Sequence, residues 1–179
     1  MLAEKIRASK IKKIPVKILS NVRKLSEIAV EVVARNFEIY PKLTGISKEY
    51  RAKVLTKIIE NEDRNISIKC AATNIHEEEY WKTVCKPFQN CFPEDHGGSY
   101  KQAYLERYVE EIIENWKVKI KKVDSDLNEL ELLLTSLNDF IFCINIRSLL
   151  SHLNVNILFK NLTNLSSLSV TFGAKYLGI

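Results

Sequence analysis

Apolar residues recur every three to four positions along most of this chain, the step of amphipathic helices. In "VRKLSEIAVEVVARNF" the stripe is Leu25, Ile28, Ala29, Val32 and Val33, which predicts a helix with that face inward. Pro41 helps to end it, because the residue before a proline disfavours helical dihedrals. "SKEYRAKVLTKIIE" carries Tyr50, Val54, Leu55, Ile58 and Ile59, with Ser47 as the expected N-cap. A shorter helix is expected in "NISIKCAATNI". "EEEYWKTVCKPF" puts Tyr80, Trp81, Val84, Cys85 and Phe88 on one face, and its acidic start suits a helix N-terminus. The best-marked helix follows a turn at Gly97 and Gly98. Ser99 and Gln102 match a capping box, and Leu105, Tyr108, Val109, Ile112, Ile113 and Trp116 form a continuous stripe. Glu106, Arg107, Glu110 and Glu114 fall largely off that stripe, and carboxylate pairs such as Glu77–Glu79 or Glu110–Glu111 read as solvated helix faces. Trp81, Phe88, Leu105, Ile112 and Trp116 are the expected anchors of a helical core.

Beyond residue 122 the pattern changes. "DLNELELLLTSL" reads as one more helix, with Asp126 and Glu129 as a capping pair. "IFCINIRSL" then places apolar residues at Ile141, Ile144, Ile146 and Leu149. "LSSLSVTFG" repeats the spacing at Leu165, Leu168 and Val170, closed by Gly173. Ile141 and Leu165 are 24 positions apart, inside the roughly 20–29-residue period of leucine-rich repeats. The segment between them is long enough for a returning helix. An ordinary β-α-β unit is the alternative reading of the same pattern. The expected fold is mainly α: a basic arm (1–24), a helical block (25–122) in the position an F-box would take, and the first one to two units of a leucine-rich-repeat solenoid (123–179).

Charge adds one feature. The formal net charge is +5, and Lys5, Arg7, Lys10, Lys12, Lys13, Lys17, Arg23 and Lys24 crowd the N-terminus. Lys117, Lys119, Lys121 and Lys122 form a second cluster. Both read as solvated surface or as docking sites for an acidic partner. Aromatic residues are not interleaved with them as single-stranded nucleic acid would favour, so a nucleic-acid binder is the least favoured class. No apolar run is long enough for a membrane-spanning helix. The N-terminus lacks the continuous apolar core of a secretory signal, so Cys70, Cys85, Cys91 and Cys143 are expected as free thiols in a reducing cytoplasm.

The chain offers little chemistry. Cys85, Cys91 and His96 lack the short ligand pairs of structural zinc sites, and Cys85 lies on an apolar face. "HEE" at residues 76–78 meets only a fragment of the zinc-deaminase pattern. There is no nucleophile elbow and no phosphate-binding loop. His76, His96 and His152 read as surface or capping residues. No enzyme, cofactor or metal is expected.

The order of features is more informative. "YWKTVCKPFQNCFPEDHGGSYKQAYLERYVEEII", a further helix and then "LSVTFGAKYLG" together resemble the N-terminal half of the t-complex-associated testis-expressed protein 1 family, subunit 5 of the nexin–dynein regulatory complex. The resemblance runs from about Ile14 to Ile179, and its diagnostic pieces are Trp81 with Cys85, "HGGSYKQAYLER" and "LSVTFGAKYLG". It implies a non-enzymatic scaffold in the cytoskeleton of the ciliary or flagellar axoneme. There it would contact other subunits of the complex, help to link outer doublets and regulate dynein-driven sliding. It also implies that the repeats continue past the unit seen here. The basic arm would then seat on acidic microtubule or subunit surfaces. The runner-up is an F-box, leucine-rich-repeat adaptor of a ubiquitin ligase. "IPVKIL" at 14–19 resembles an F-box opening, although the basic "NVRKL" after it departs from that pattern.

Overall fold

Seven helices and two short strands make up the described part of the computed structural model, residues 23–61, 66–88, 91–116, 123–147 and 154–171. The mainly helical expectation holds. The basic arm up to residue 22, the lysine cluster at 117–122, Leu149 and Gly173 lie outside the described residues.

Helices α1 (Leu25–Arg35) and α2 (Lys48–Glu60) pack against each other. The face that α1 turns inward is not the expected one. Val30, Ala34 and the following Phe37 are buried, whereas Leu25, Ile28, Ala29 and Val32 are exposed. α1 is apolar on two faces. The buried one combines Phe37, a large side chain, with Ala34, which is small enough for close helix approach, and Val33 lies half-buried at the border. On α2, Val54, Leu55 and Ile58 are buried, while Tyr50 stays exposed and Ile59 half-buried. Ser47 stands at the N-cap position but makes no side-chain cap bond.

α3 (Ile68–Asn74) is capped by Ser67, whose hydroxyl accepts from Cys70 N at 3.3 Å. Glu38, just after α1, accepts from Ser67 N and Oγ at 3.1 and 2.7 Å and ties that cap to the first helical pair. α4 (Glu78–Cys85) buries Trp81, whose Nε1 donates to Ile75 O at 3.1 Å, so the ring is interior and its N–H is satisfied. Gly97 (φ 64°) and Gly98 (φ 79°) turn the chain into α5 (Tyr100–Asn115), in a backbone region that side chains with a Cβ rarely adopt.

The expected capping box of α5 is half formed. Ser99 Oγ accepts from Gln102 N at 3.4 Å. Gln102, however, does not reach back; its amide donates to Glu106 Oε1 at 3.1 Å. Ser99 N donates instead to His96 O at 3.3 Å, and Glu78 accepts from Ser99 Oγ and Tyr100 N, both at 2.9 Å. The acidic start of α4 thereby caps its neighbour, and α4 and α5 pack as a pair.

α6 (Val123–Leu137) begins ahead of Asp126, which is therefore a helical residue and not a cap. A single 3-10 turn leads to β1 (Cys143–Ile146). The chain returns through α7 (Asn156–Asn161) to β2 (Ser167–Val170). The strands are parallel and adjacent, with Cys143 opposite Ser167 and Ile146 opposite Val170. That register is the 24-residue offset read from the sequence. Among the described residues there is one strand–helix–strand unit, and a run of repeats is not present. The buried core is continuous from Val30 on α1 to Leu162 after α7, so the helical block and the strand unit share it.

Candidate functional site

The junction between α5 and β1 is the most constrained polar site among the described residues. A parallel strand at the margin of a sheet leaves every second N–H without a strand partner. On β1 and the residue after it these are the N–H groups of Cys143, Asn145 and Arg147, which point away from β2. α5 supplies carboxylates to them in order. Glu106 Oε1 accepts from Phe142 N and Cys143 N, both at 2.8 Å. Glu110 Oε1 accepts from Asn145 N, and Glu114 Oε1 from Arg147 N, each at 2.6 Å.

The match is geometric. Four helical residues rise about 6 Å, and two strand residues about 6.6 Å. Glutamates at i, i+4 and i+8 therefore keep step with N–H groups at j, j+2 and j+4. Ala103, fully buried on the same side of α5, leaves the room that close approach requires. The helix thus stands where another strand would, and it does so with side-chain acceptors.

Glu106 and Glu110 are buried, at 0% and 3% exposure. The solvated face expected for Glu110 is corrected: both carboxylates are taken from water because β1 presents donors that need acceptors. Burial of a carboxylate is costly unless it is paired, and each of the two has a basic neighbour. His96 Nδ1 contacts Glu106 Oε2. Since a carboxylate only accepts, the proton belongs on Nδ1. This hydrogen bond, with the Glu106 charge behind it, holds the His96 pKa above the ordinary histidine value. Arg107 pairs with Glu110 Oε2. Burial pushes the Glu110 carboxyl up, and the Asn145 N–H and the Arg107 guanidinium pull it back. His96, read from the sequence as a surface or capping residue, is instead a half-buried partner of Glu106.

The helical anchors gather beside this junction. Trp81 and Leu105 are buried; Phe88, Ile112 and Trp116 are half-buried. Trp81 and Tyr104 have ring centroids 5.5 Å apart, and Phe88 meets Tyr104 edge-on at 5.2 Å. Lys101 lies 4.6 Å from the Phe140 ring centroid and 5.8 Å from Trp81, bridging the aromatic group to the approach of β1. Ile141, ahead of β1, and Ile144 and Ile146 on it are buried. Leu165, Leu168 and Val170 are only half-buried, because β2 is covered on one side alone. All four cysteines are free. Burial raises the Cys70 thiol to about 11 and moves Cys85 higher still, which makes both poor nucleophiles at neutral pH. No group of three metal-ligating side chains occurs among the described residues. None of the described helices is long and apolar enough to cross a membrane.

The sequence carried one signal for the site, Ala103, Glu106, Glu110 and Glu114 at steps of three and four beside the apolar stripe. Without knowledge of what packs there, such a row reads as solvated.

Fold and junction define a class: a helical block built onto the margin of a parallel strand–helix–strand unit and sealing it with carboxylates. No protein-family model matches the chain. Over 157 residues, 87% of its length, the chain is 32% identical to dynein regulatory complex subunit 5 of Chlamydomonas reinhardtii, of which this covers 38%. It is 30% identical over 96 residues to the Mus musculus protein of that name, covering 53% of this chain and 18% of that one. The Homo sapiens protein is 28% identical over 99 residues, 55% of this chain and 19% of its own length. These matches make the chain a homologue of the dynein regulatory complex subunit 5 family. It spans well under half the length of these curated relatives.

Proposed function

We propose that the chain acts as a non-enzymatic scaffold subunit of the nexin–dynein regulatory complex in the axoneme of motile cilia or flagella. In this role it helps to link outer doublets and to regulate dynein-driven sliding. The observation that carries the reading is the collinear similarity to dynein regulatory complex subunit 5 over 87% of the chain. The junction supports it in physical terms. A solenoid needs an end that shields its first strand, and the Glu106–Glu110–Glu114 row on α5 does this for β1. We read β1, α7 and β2 as the opening of a leucine-rich-repeat solenoid. The helical block is then its N-terminal cap, with other subunits of the complex as partners. The lysine-rich arm at 1–24 adds long-range attraction to acidic subunit or microtubule surfaces.

A tagged chain expressed in ciliated cells tests this. It is expected to enrich in axonemes and to co-extract with the complex. Removing residues 1–24 is expected to weaken that association at moderate salt while the core stays folded. Capture of a ubiquitin-ligase core without axonemal enrichment would instead support the adaptor reading and contradict this one.

A further inference from the structure

α1 carries an apolar face that nothing described covers. Leu25 is 82% exposed and Val32 50%, and Ile28 and Ala29 are exposed beside them. At about 100° per residue these four positions fall in one stripe about 100° wide, the width of a core-facing helical surface. The side packed against α2, with Val30 and Ala34, is a different one. Tyr40 N donates to Asn36 O at 2.8 Å, so the helical course runs on for a further turn. Ile39, 69% exposed, extends the row there.

We infer that this face seats an amphipathic helix of another chain, apolar along one seam and acidic along its flanks. Spacing and charge point to that occupant. Leu25, Ile28, Val32 and Ile39 stand at the a, d, a and a places of a heptad pattern, the row that packs knobs-into-holes against a second helix. The d place between Val32 and Ile39 holds Arg35. Along one border of the stripe, Arg23, Lys24 and Arg35 stand against a single carboxylate, Glu31, which both arginines already hold. Glu38, the next carboxylate along, is committed to the Ser67 cap. Glu27 lines the cleft between α1 and α2 instead. The border is thus positive on balance. A second copy would bring its own cations to it, whereas acidic flanks complement it and set partner choice. The inference does not depend on the proposed function.

Binding of a labelled synthetic peptide to the full chain, read by fluorescence anisotropy, tests it. The probe is a three-heptad helix with leucine at a and d and glutamate at e and g. One control carries lysine at e and g, and another keeps the acidic composition with its leucines scattered. The acidic helix is expected to bind at least about tenfold more tightly than either control, and several-fold less tightly at high salt. A Leu25→Ser/Val32→Ser variant, which keeps every charge, is expected to bind it about tenfold more weakly. Near-UV circular dichroism is the fold control; if the variant loses that signal, the milder Leu25→Ala/Val32→Thr variant is read in the same way. Equal binding to wild type and variant overturns the inference, as does equal binding of the acidic helix and either control. A wild-type dimer that the variant abolishes would make a second copy the occupant and overturns it too.

Discussion

Replacing Glu106 by alanine tests the α5–β1 junction directly. The substitution removes the acceptor of two backbone N–H groups held at 2.8 Å, the acceptor of the Gln102 amide, and the partner of His96. A hydrogen bond to a charged group contributes about 1.5–3 kcal/mol, and a buried donor left unpaired costs a comparable amount. The two backbone bonds alone therefore set a loss of about 3–6 kcal/mol. Water entering the vacated space recovers some of it, which leaves about 4 kcal/mol. For a chain of this size that corresponds to a fall in Tm of about 10 °C. Urea titration followed by circular dichroism reads it as a lower midpoint at unchanged m-value. Glu106→Gln keeps an acceptor oxygen in place and loses only the charge, so about half that loss is expected. A Glu106→Ala midpoint within about 0.5 kcal/mol of wild type would refute the reasoning, since the β1 margin would then not depend on this carboxylate.

Stability is also expected to depend on pH through His96. Its folded pKa lies above its ordinary value of about 6.5, so the stabilisation is full below that value and is lost as pH rises through the folded pKa. Denaturant midpoints measured from pH 6 to 9 should therefore fall, and His96→Gln should flatten that fall. Glu110, whose pKa is raised by burial, acts in the same direction from its unfolded value upward; a midpoint that rises steadily from pH 5 to 9 contradicts both. Gly98→Ala places a Cβ at φ 79° and is expected to cost about 1 kcal/mol or more, measured by the same titration. Trp81→Ala empties a site that is 1% exposed and should cost about 3–5 kcal/mol. Leu132→Ser, at a position 72% exposed, should stay within about 0.5 kcal/mol.

What the sequence showed and hid follows from which interactions are local. Helices with one apolar stripe were legible, and so was the strand pair, because matched spacing in "IFCINIRSL" and "LSSLSVTFG" fixes a register that the Cys143–Ser167 pairing reproduces. α1 misled because it has two apolar faces, and the choice of Val30 and Ala34 over Leu25 and Val32 depends on α2, which periodicity within α1 does not contain. The capping box was half right for a related reason. Ser99 acts within its own turn, but Gln102 is drawn to Glu106, Ser99 N donates to His96 O, and Glu78 from another helix accepts from Ser99 Oγ and Tyr100 N. The glutamate row was the largest omission. Its partners are backbone N–H groups 33 to 37 residues away along the chain, and backbone donors leave no mark in the side-chain pattern.

Site-resolved amide exchange of β1 by NMR is the most direct test of the central structural claim, that α5 seals the margin of the strand unit through its carboxylates. In the wild-type chain the amides of Cys143 and Asn145 should exchange as slowly as those of Ile144 and Ile146, which lie on the β2 side. In Glu106→Ala and Glu110→Ala, the Cys143 and Asn145 amides respectively should exchange at least about tenfold faster, with smaller changes at Ile144 and Ile146. Rapid exchange of Cys143 and Asn145 in the wild-type chain would contradict the claim.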